Sequence, residues 1–134
     1  MAEFIASAQT LAAGDVVAFN GSTKRCANVV HRDGSGTFTL RGSKNCCNPA
    51  KYIVHVHAVI TAAAATTTYQ LQLNVGGEPI KSSLISVVSA ASGNVLTGNA
   101  AIMVDSCFCC EKLTLRAVTA VPLTSADIII ERVA

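Results

Sequence analysis

The stretch TTTYQLQLNV at residues 66–75 decides the fold class, because apolar and polar side chains alternate along it. The apolar positions are Tyr69, Leu71, Leu73 and Val75, and the polar positions are Gln70, Gln72 and Asn74. Successive side chains of a β-strand point to opposite faces of the sheet. The pattern therefore predicts a strand with one face in the core and the other against water or a partner.

The preceding stretch KYIVHVHAVIT at residues 51–61 predicts a second, longer strand. The period of two directs Val54 and Val56 into the core and leaves His55 and His57 together on the opposite face. The residues alone are compatible with two solvated histidines.

The rest of the chain follows the same rhythm, with turn signals every ten to fifteen residues. We predict strands at residues 15–20, 27–32, 37–41, 98–105, 111–119 and 125–133. Residues 82–91 fit either a helix or a strand, and their Val and Ile content favours a strand. Residues 1–14 form an N-terminal arm or a first strand. The sequence thus predicts one all-β domain over residues 1–134, a jelly-roll β-sandwich of about eight or more antiparallel strands.

The composition excludes several functions and indicates self-assembly. Hydrophobic residues make up 51% of the chain and charged residues only 13%, against about 25% in typical soluble domains. We infer that part of the surface is buried against identical copies. A net charge of +2 without a basic cluster argues against nucleic acid. The sequence has no run of about 18 uncharged apolar residues, so we do not expect membrane insertion.

Neither a catalytic motif nor a cofactor-binding motif is found, so we expect a protein that is not an enzyme and needs no cofactor. The N-terminus, Met1-Ala2-Glu3-Phe4, carries an acid where a secretory signal has lysine or arginine. We therefore expect synthesis in the cytoplasm without a signal peptide.

Six cysteines are the main anomaly of the sequence. They are Cys26, Cys46, Cys47, Cys107, Cys109 and Cys110. Alternate loops of an antiparallel sandwich lie at the same end, so we expect all six to cluster there. Three states stay open: buried free thiols, disulfides, and a thiolate metal site. The disulfide candidates are Cys46 or Cys47 with Cys109 or Cys110.

Part of the sequence resembles the C1q/TNF-like domains. The segment GTFTL at residues 36–40, a short loop and KYIVHVH at residues 51–57 are similar to two paired strands of that family. Residues 69–75 followed by GGEP at residues 76–79 resemble a further strand and its turn. The resemblance implies a homotrimer in which the strand of His55 and His57 belongs to the sheet that meets the threefold axis. It therefore implies, as the alternative to solvated side chains, an interface role for the two histidines, as a pH-sensitive ring or an anion site.

A second resemblance is to small virion-associated, head-fibre-like proteins of phages and prophages of gut Firmicutes. It rests on MAEFIA (residues 1–6), VHRDGSG (30–36), TLRG (39–42), GEP (77–79) and IERVA (130–134). The resemblance implies a structural virion protein that decorates a capsid or forms a fibre head. Its partners would be capsid proteins and a host surface glycan. The alternative is a cellular C1q/TNF-like or exosporium-type recognition module that binds a glycan or a protein.

Overall fold

The computed structural model describes residues 1–44, 46–107 and 110–134, and this part of the chain is almost entirely β-structure. It contains twelve strands and one short 3₁₀ turn at Lys81–Ser83. The strands are β1 (Ala2–Ala6), β2 (Gln9–Leu11), β3 (Gly21–Lys24), β4 (Val29–Val30), β5 (Phe38–Arg41), β6 (Ala50–Thr61), β7 (Thr68–Val75), β8 (Glu78–Pro79), β9 (Ile85–Val88), β10 (Val95–Ser106), β11 (Cys110–Ala117) and β12 (Val121–Arg132).

The strands form two antiparallel sheets. Sheet A has the order β10-β6-β12-β1-β3, with β2 also paired to β12. Sheet B has the order β4-β5-β11-β7-β8, with β9 also paired to β7. The chain passes from one sheet to the other between β3 and β4, β5 and β6, β6 and β7, β9 and β10, β10 and β11, and β11 and β12, as in a jelly roll. The predicted fold class is confirmed.

The core lies between the two sheets and follows from the alternation of the strands. Val54 and Val56 are buried, as predicted, and so are Leu71 and Leu73 of the facing sheet. Burying one such side chain contributes about 1.5–3 kcal/mol relative to leaving it in water. Asn74 departs from the pattern, since it was predicted on the wet face and is only 4% exposed.

An aromatic cluster around His31 fills one part of the core. The imidazole stacks on Phe38, with ring centroids 4.3 Å apart, and contacts the edges of Phe4 and Phe19. Its two nitrogens lie 3.1 Å from the carbonyl oxygen of Thr37 and 2.9 Å from that of Phe19. A neutral imidazole has one N–H and donates to only one of these two carbonyl oxygens, so the buried ring has at least one hydrogen-bond partner.

The prediction of a strand at residues 15–20 is wrong. Val17 and Phe19 are buried, but this segment makes only isolated bridges, from Val16 to Arg116 and from Phe19 to Ser35. The side chain of Gln9 binds both the N–H and the C=O of Ala18, at 3.0 and 2.6 Å. The backbone of this segment bonds to several different partners in turn, including Leu115 and Ser35, so the apolar alternation survives without a continuous strand.

Two other segments differ in extent from the prediction. Residues 1–14 hold two strands, β1 and β2, both paired with β12. The predicted strand at residues 27–32 shortens to Val29–Val30. Before it the chain turns, with the Val29 N–H donating to the carbonyl oxygen of Cys26, and after it the carbonyl oxygen of His31 accepts from Arg25. Residues 82–91 contain the strand Ile85–Val88, so the choice of strand over helix is confirmed.

Candidate interaction surface

The side of sheet A that faces away from the core is formed by alternate residues of β6, β10, β12 and β1, and we call it the open face of sheet A. Its members include Glu3, Ile5, Ile53, His55, His57, Val59, Val95, Thr97, Asn99, Ala101, Met103, Ser125, Asp127 and Ile129. Most of them are apolar or uncharged. The ion pair between Lys51 and Asp105, with N and O 3.4 Å apart, lies at one end of this face.

His55 and His57 lie together on the open face of sheet A. Each is exposed and has a neighbour on both flanking strands. His55 pairs with Ala101 of β10 and with Ile129 of β12. Their role at a threefold axis stays a prediction, since the structure contains a single chain.

His57 is the more constrained of the two histidines. It pairs with Asn99 on one side and with Asp127 on the other. Its Nδ1 lies 2.7 Å from Oδ1 of Asn99, so that the imidazole N–H donates to the amide oxygen when Nδ1 carries the proton. This contact occupies Nδ1 and leaves Nε2 available on the open face of sheet A.

Asp127 is the functional candidate that sequence reasoning missed. It borders a hollow of about 200 Å³ together with His55, His57, Asn99 and Ile129. Its Oδ1 is buried and finds no hydrogen-bond partner among the described residues. Desolvation raises the pKa of Asp127 to about 6; the nearby carboxyl group of Glu3 acts in the same direction, and the charge of His57 opposes it. The sequence signal for Asp127 was an acidic residue between Ala126 and Ile128 in an otherwise apolar strand.

The cysteine-bearing end of the sandwich is joined by a disulfide between Cys46 and Cys107, with Cα atoms 5.1 Å apart. This bond connects the loop before β6 to the end of β10, two segments expected at one end. Cys107 stood outside the predicted disulfide candidates, whereas Cys46 was one of them. Gly42 allows the close approach, because a Cβ at this position would lie 2.6 Å from the Cys107 carbonyl carbon.

The other cysteines take different positions. Cys26 is a free, half-buried thiol that packs against the core, Cys47 is exposed and Cys110 takes part in a disulfide. Cys109 lies outside the described residues. Because Cys46 and Cys107 are joined in a disulfide, they do not offer thiolate ligands in this structure. Across residues 1–44, 46–107 and 110–134, no three His, Cys, Asp or Glu side chains are placed to hold a metal ion.

Tyr52 anchors the same end of the sandwich from the core. Its hydroxyl group donates toward the carbonyl oxygens of Arg41, at 2.6 Å, and Asn28, at 3.2 Å. Burial raises the pKa of the Tyr52 phenol, and the neighbouring Cys26 adds to this effect, while Arg132 and Arg41 oppose it.

The outward side of sheet B, which we call the open face of sheet B, has a different chemistry. Arg41 of β5 and Lys112 and Arg116 of β11 are exposed on it. Gln72 and Asn74 of β7 pair with residues of β11 beside them. Within the described residues, neither of the two ion pairs involves these three cations. The two faces of the sandwich thus differ in charge.

No helix in the described part of the chain is long and apolar enough to cross a membrane. By sequence, no protein-family model matches the chain, and no curated protein does either.

Solved structures share the fold at low sequence identity. The globular domain of zebrafish complement 1qA protein matches with a TM-score of 0.75 and 14% identity, covering 99% of this chain and 96% of that one. Murine APRIL, solved at pH 5.0, gives 0.67 and 10%, with coverage of 97% and 98%. The vertex protein P5 of PRD1 gives 0.62 and 12%, with coverage of 99% and 96%. The chain therefore has a C1q/TNF-like jelly-roll fold.

Proposed function

We propose that this protein is a structural component of a virion, a homotrimer of one jelly-roll domain over residues 1–134. It decorates a capsid or forms the head of a fibre, and it catalyses no reaction. The main support for assembly is the open face of sheet A, which is broad, poor in charge and rich in exposed apolar side chains. The fold that the chain shares with a vertex protein supports the virion as its place.

The open face of sheet A has the size and chemistry of a subunit interface. The twelve-residue strands β6, β10 and β12 are about 40 Å long, the five-residue β1 is about 17 Å long, and adjacent strands lie about 4.8 Å apart. The resulting area of about 650 Å² is of the same order as the roughly 800 Å² per partner of a stable interface. Ile5, Met103 and Val95 on this face are 43%, 60% and 67% exposed in the single chain, so association would remove substantial apolar surface from water.

Light scattering on the purified protein tests the assembly. We expect a mass of about three times the 13.8 kDa of the chain. The change Met103→Glu places a carboxylate on the open face of sheet A and should raise the concentration needed for assembly at least about 100-fold, because a desolvated charge costs several kcal/mol. Val88→Glu is the matched control, since Val88 is also 60% exposed but belongs to sheet B. A monomer at micromolar concentration, or equal effects of both variants, would contradict the proposal.

Gold-labelled antibodies against the protein test the location. Virions purified from cultures of the organism that carries the gene should show label at regular positions on the capsid or at fibre tips in negative stain. Label confined to cell debris would contradict the virion role.

A second candidate function is that of a cellular recognition module that binds a glycan or a protein. The observation that favours it is the open face of sheet B, where Arg41, Lys112 and Arg116 have amide and hydroxyl groups beside them. Binding of labelled protein to an array of acidic and neutral glycans tests it. The triple change of these residues to Gln should abolish binding to the acidic glycans, and Met103→Glu should affect it only through the loss of trimeric avidity.

A further inference from the structure

A hollow of about 280 Å³ lies on the open face of sheet B, over β7 and β11. Its polar lining is formed by Gln72 and Asn74 of β7 and by Arg116 of β11. Arg116 is the register partner of Gln72, and Asn74, whose partner is Thr114, is its diagonal neighbour. Diagonal neighbours in a sheet are about 7–8 Å apart. Three hydrogen-bonding side chains therefore converge on one small volume.

Asn74 is the most unusual group of this hollow. Its side chain lies on the same face as that of Gln72, yet the residue is only 4% exposed, with Pro79 of β8 beside it. Within the described residues, the amide group of Asn74 makes no hydrogen bond. Buried polar groups nearly always have a partner, and leaving one without costs free energy. A molecule bound in the hollow would supply the partner that the fold does not.

Arg116 supplies the charge of the hollow. Its side chain is exposed, and in the described part of the chain it takes part in no ion pair and no hydrogen bond. A guanidinium group presents its donors as a planar fork that matches a carboxylate. The amide nitrogen of Gln72 donates to the carbonyl oxygen of Ile80 at 3.1 Å. This contact leaves the amide oxygen of Gln72 as an acceptor beside Arg116.

The rest of the lining is apolar or lacks a side chain. Pro79, Ala117 and Val118 form the apolar part. Gly14 and Gly77 complete it, and nothing lies within 4 Å of the positions that their Cβ atoms would take. The volume is just below the roughly 300–1,000 Å³ of most small-molecule sites. The hollow therefore has room for one ring and stays open to solvent on the glycine side.

Together these groups select the chemical class of the ligand. A carboxylate only accepts hydrogen bonds, so it pairs with Arg116 but not with the oxygen of Gln72. A hydroxyl group both donates and accepts, so it pairs with either amide. We infer that the hollow binds a sugar acid, with its carboxylate on Arg116, its hydroxyl groups on Gln72 and Asn74, and the C–H face of its ring on Pro79. The inference rests on the recognition function proposed second, and it names the ligand class and the place of binding.

Titration of the full chain with glucuronate, glucose and acetate at pH 7, followed by amide NMR shifts, tests the ligand class. Glucuronate carries a carboxylate and hydroxyl groups, whereas glucose has only the hydroxyl groups and acetate only the carboxylate. We expect glucuronate to bind at least about 10-fold more tightly than either, because a charge-assisted hydrogen bond changes affinity by about this factor or more. Equal binding of acetate would show that the hollow takes any carboxylate, as in an acidic peptide, and would overturn the sugar-acid assignment.

Substitution of Arg116 tests the place of binding. Arg116→Gln should weaken glucuronate binding at least about 10-fold, and Arg116→Lys should restore only part of the loss, because an ammonium group lacks the planar fork. Lys112→Gln is the matched control, since it removes the same charge from the same face about 13 Å away along β11. At physiological salt this distance exceeds the screening length, so the control should change binding less than about 2-fold. Equal losses at both positions would indicate unspecific attraction and overturn the site.

Asn74→Leu tests the buried amide. The change keeps the size of the side chain and removes the polar group that has no partner in the fold. Binding of both glucuronate and glucose should weaken about 5-fold, while the midpoint of urea unfolding should stay the same or rise. A lower midpoint with unchanged sugar binding would assign the amide to the stability of the fold and remove Asn74 from the site.

Two further measurements separate failure of this inference from failure of the proposed functions. A trimer by light scattering that binds none of the three probes would overturn the sugar-acid site and leave the assembly intact. Binding to acidic glycans on the array that survives Arg116→Gln but is lost with Arg41→Gln or Lys112→Gln would overturn the site and leave the recognition function standing.

Discussion

Loss of the disulfide between Cys46 and Cys107 should strongly destabilise the fold. The bond closes a loop with a sequence separation of 61 residues. In the chain-entropy model such a cross-link restricts the unfolded chain by about 4 kcal/mol at 25 °C. We expect the double variant Cys46→Ala/Cys107→Ala to lose a free energy of unfolding of this size, which is a large part of the roughly 5–15 kcal/mol typical of a domain.

The assay is urea denaturation followed by circular dichroism at one fixed protein concentration, because association makes apparent stability depend on concentration. Cys26→Ala is the matched control, since Cys26 is a free cysteine and its removal takes away only one small half-buried group. We expect the control to lose about 1 kcal/mol or less. Peptide mass spectrometry without reduction verifies the bond. A double variant as stable as the control would refute the reasoning, and so would a Cys107 that is found with its thiol free.

Three further changes test the core and the cysteine end. Val54→Asp should abolish folding, because an unpaired buried charge costs several kcal/mol; a soluble, cooperatively unfolding variant would contradict the burial of this face. Gly42→Ala should destabilise by about 1–3 kcal/mol, since its Cβ would meet the backbone of Cys107 at 2.6 Å, whereas Gly21→Ala, with nothing nearer than 3.8 Å, should change stability by less than about 1 kcal/mol. Equal losses at both glycines would show that the close approach does not exist. The raised pKa of Tyr52 means that folding opposes its ionisation, so this contribution is intact below about pH 10 and is lost as the pH rises through the folded pKa; ultraviolet titration should show one late phenol that Tyr52→Phe removes, and a titration unchanged by that substitution would contradict it.

The sequence predicts the central strands well because their side chains alternate over many residues. In β6 and β7 the register is set by burial, since a shift of one residue would turn Val54 and Leu71 into water. The segment at residues 15–20 has the same alternation but no continuous ladder, because its backbone changes partner from Leu115 to the side chain of Gln9 and then to Ser35. Local periodicity reports which side chains are buried, and it does not report what the backbone binds.

The candidate site was only partly predictable for a related reason. His55 and His57 share a face by the period of two alone, so the sequence places them correctly relative to each other. The pair of Glu3 and Asp127 comes from opposite ends of the chain, and only the pairing of β1 with β12 brings them together. Cys107 was missed because the choice among three neighbouring cysteines depends on where β10 ends, which composition does not reveal.

The position of β12 has a consequence for how the protein is made. This strand is the last of the twelve, yet it occupies the middle of sheet A, between β6 and β1. Until it leaves the ribosome, β1 and β6 have no partner on their inner edges, and Phe4 and Val54 have no complete core to enter. Before that point β1 can pair only with β3, and β6 only with β10, so the two halves of sheet A are joined only after β12 has been made. A pause in translation before that point would expose two open strand edges to other nascent chains on the same messenger.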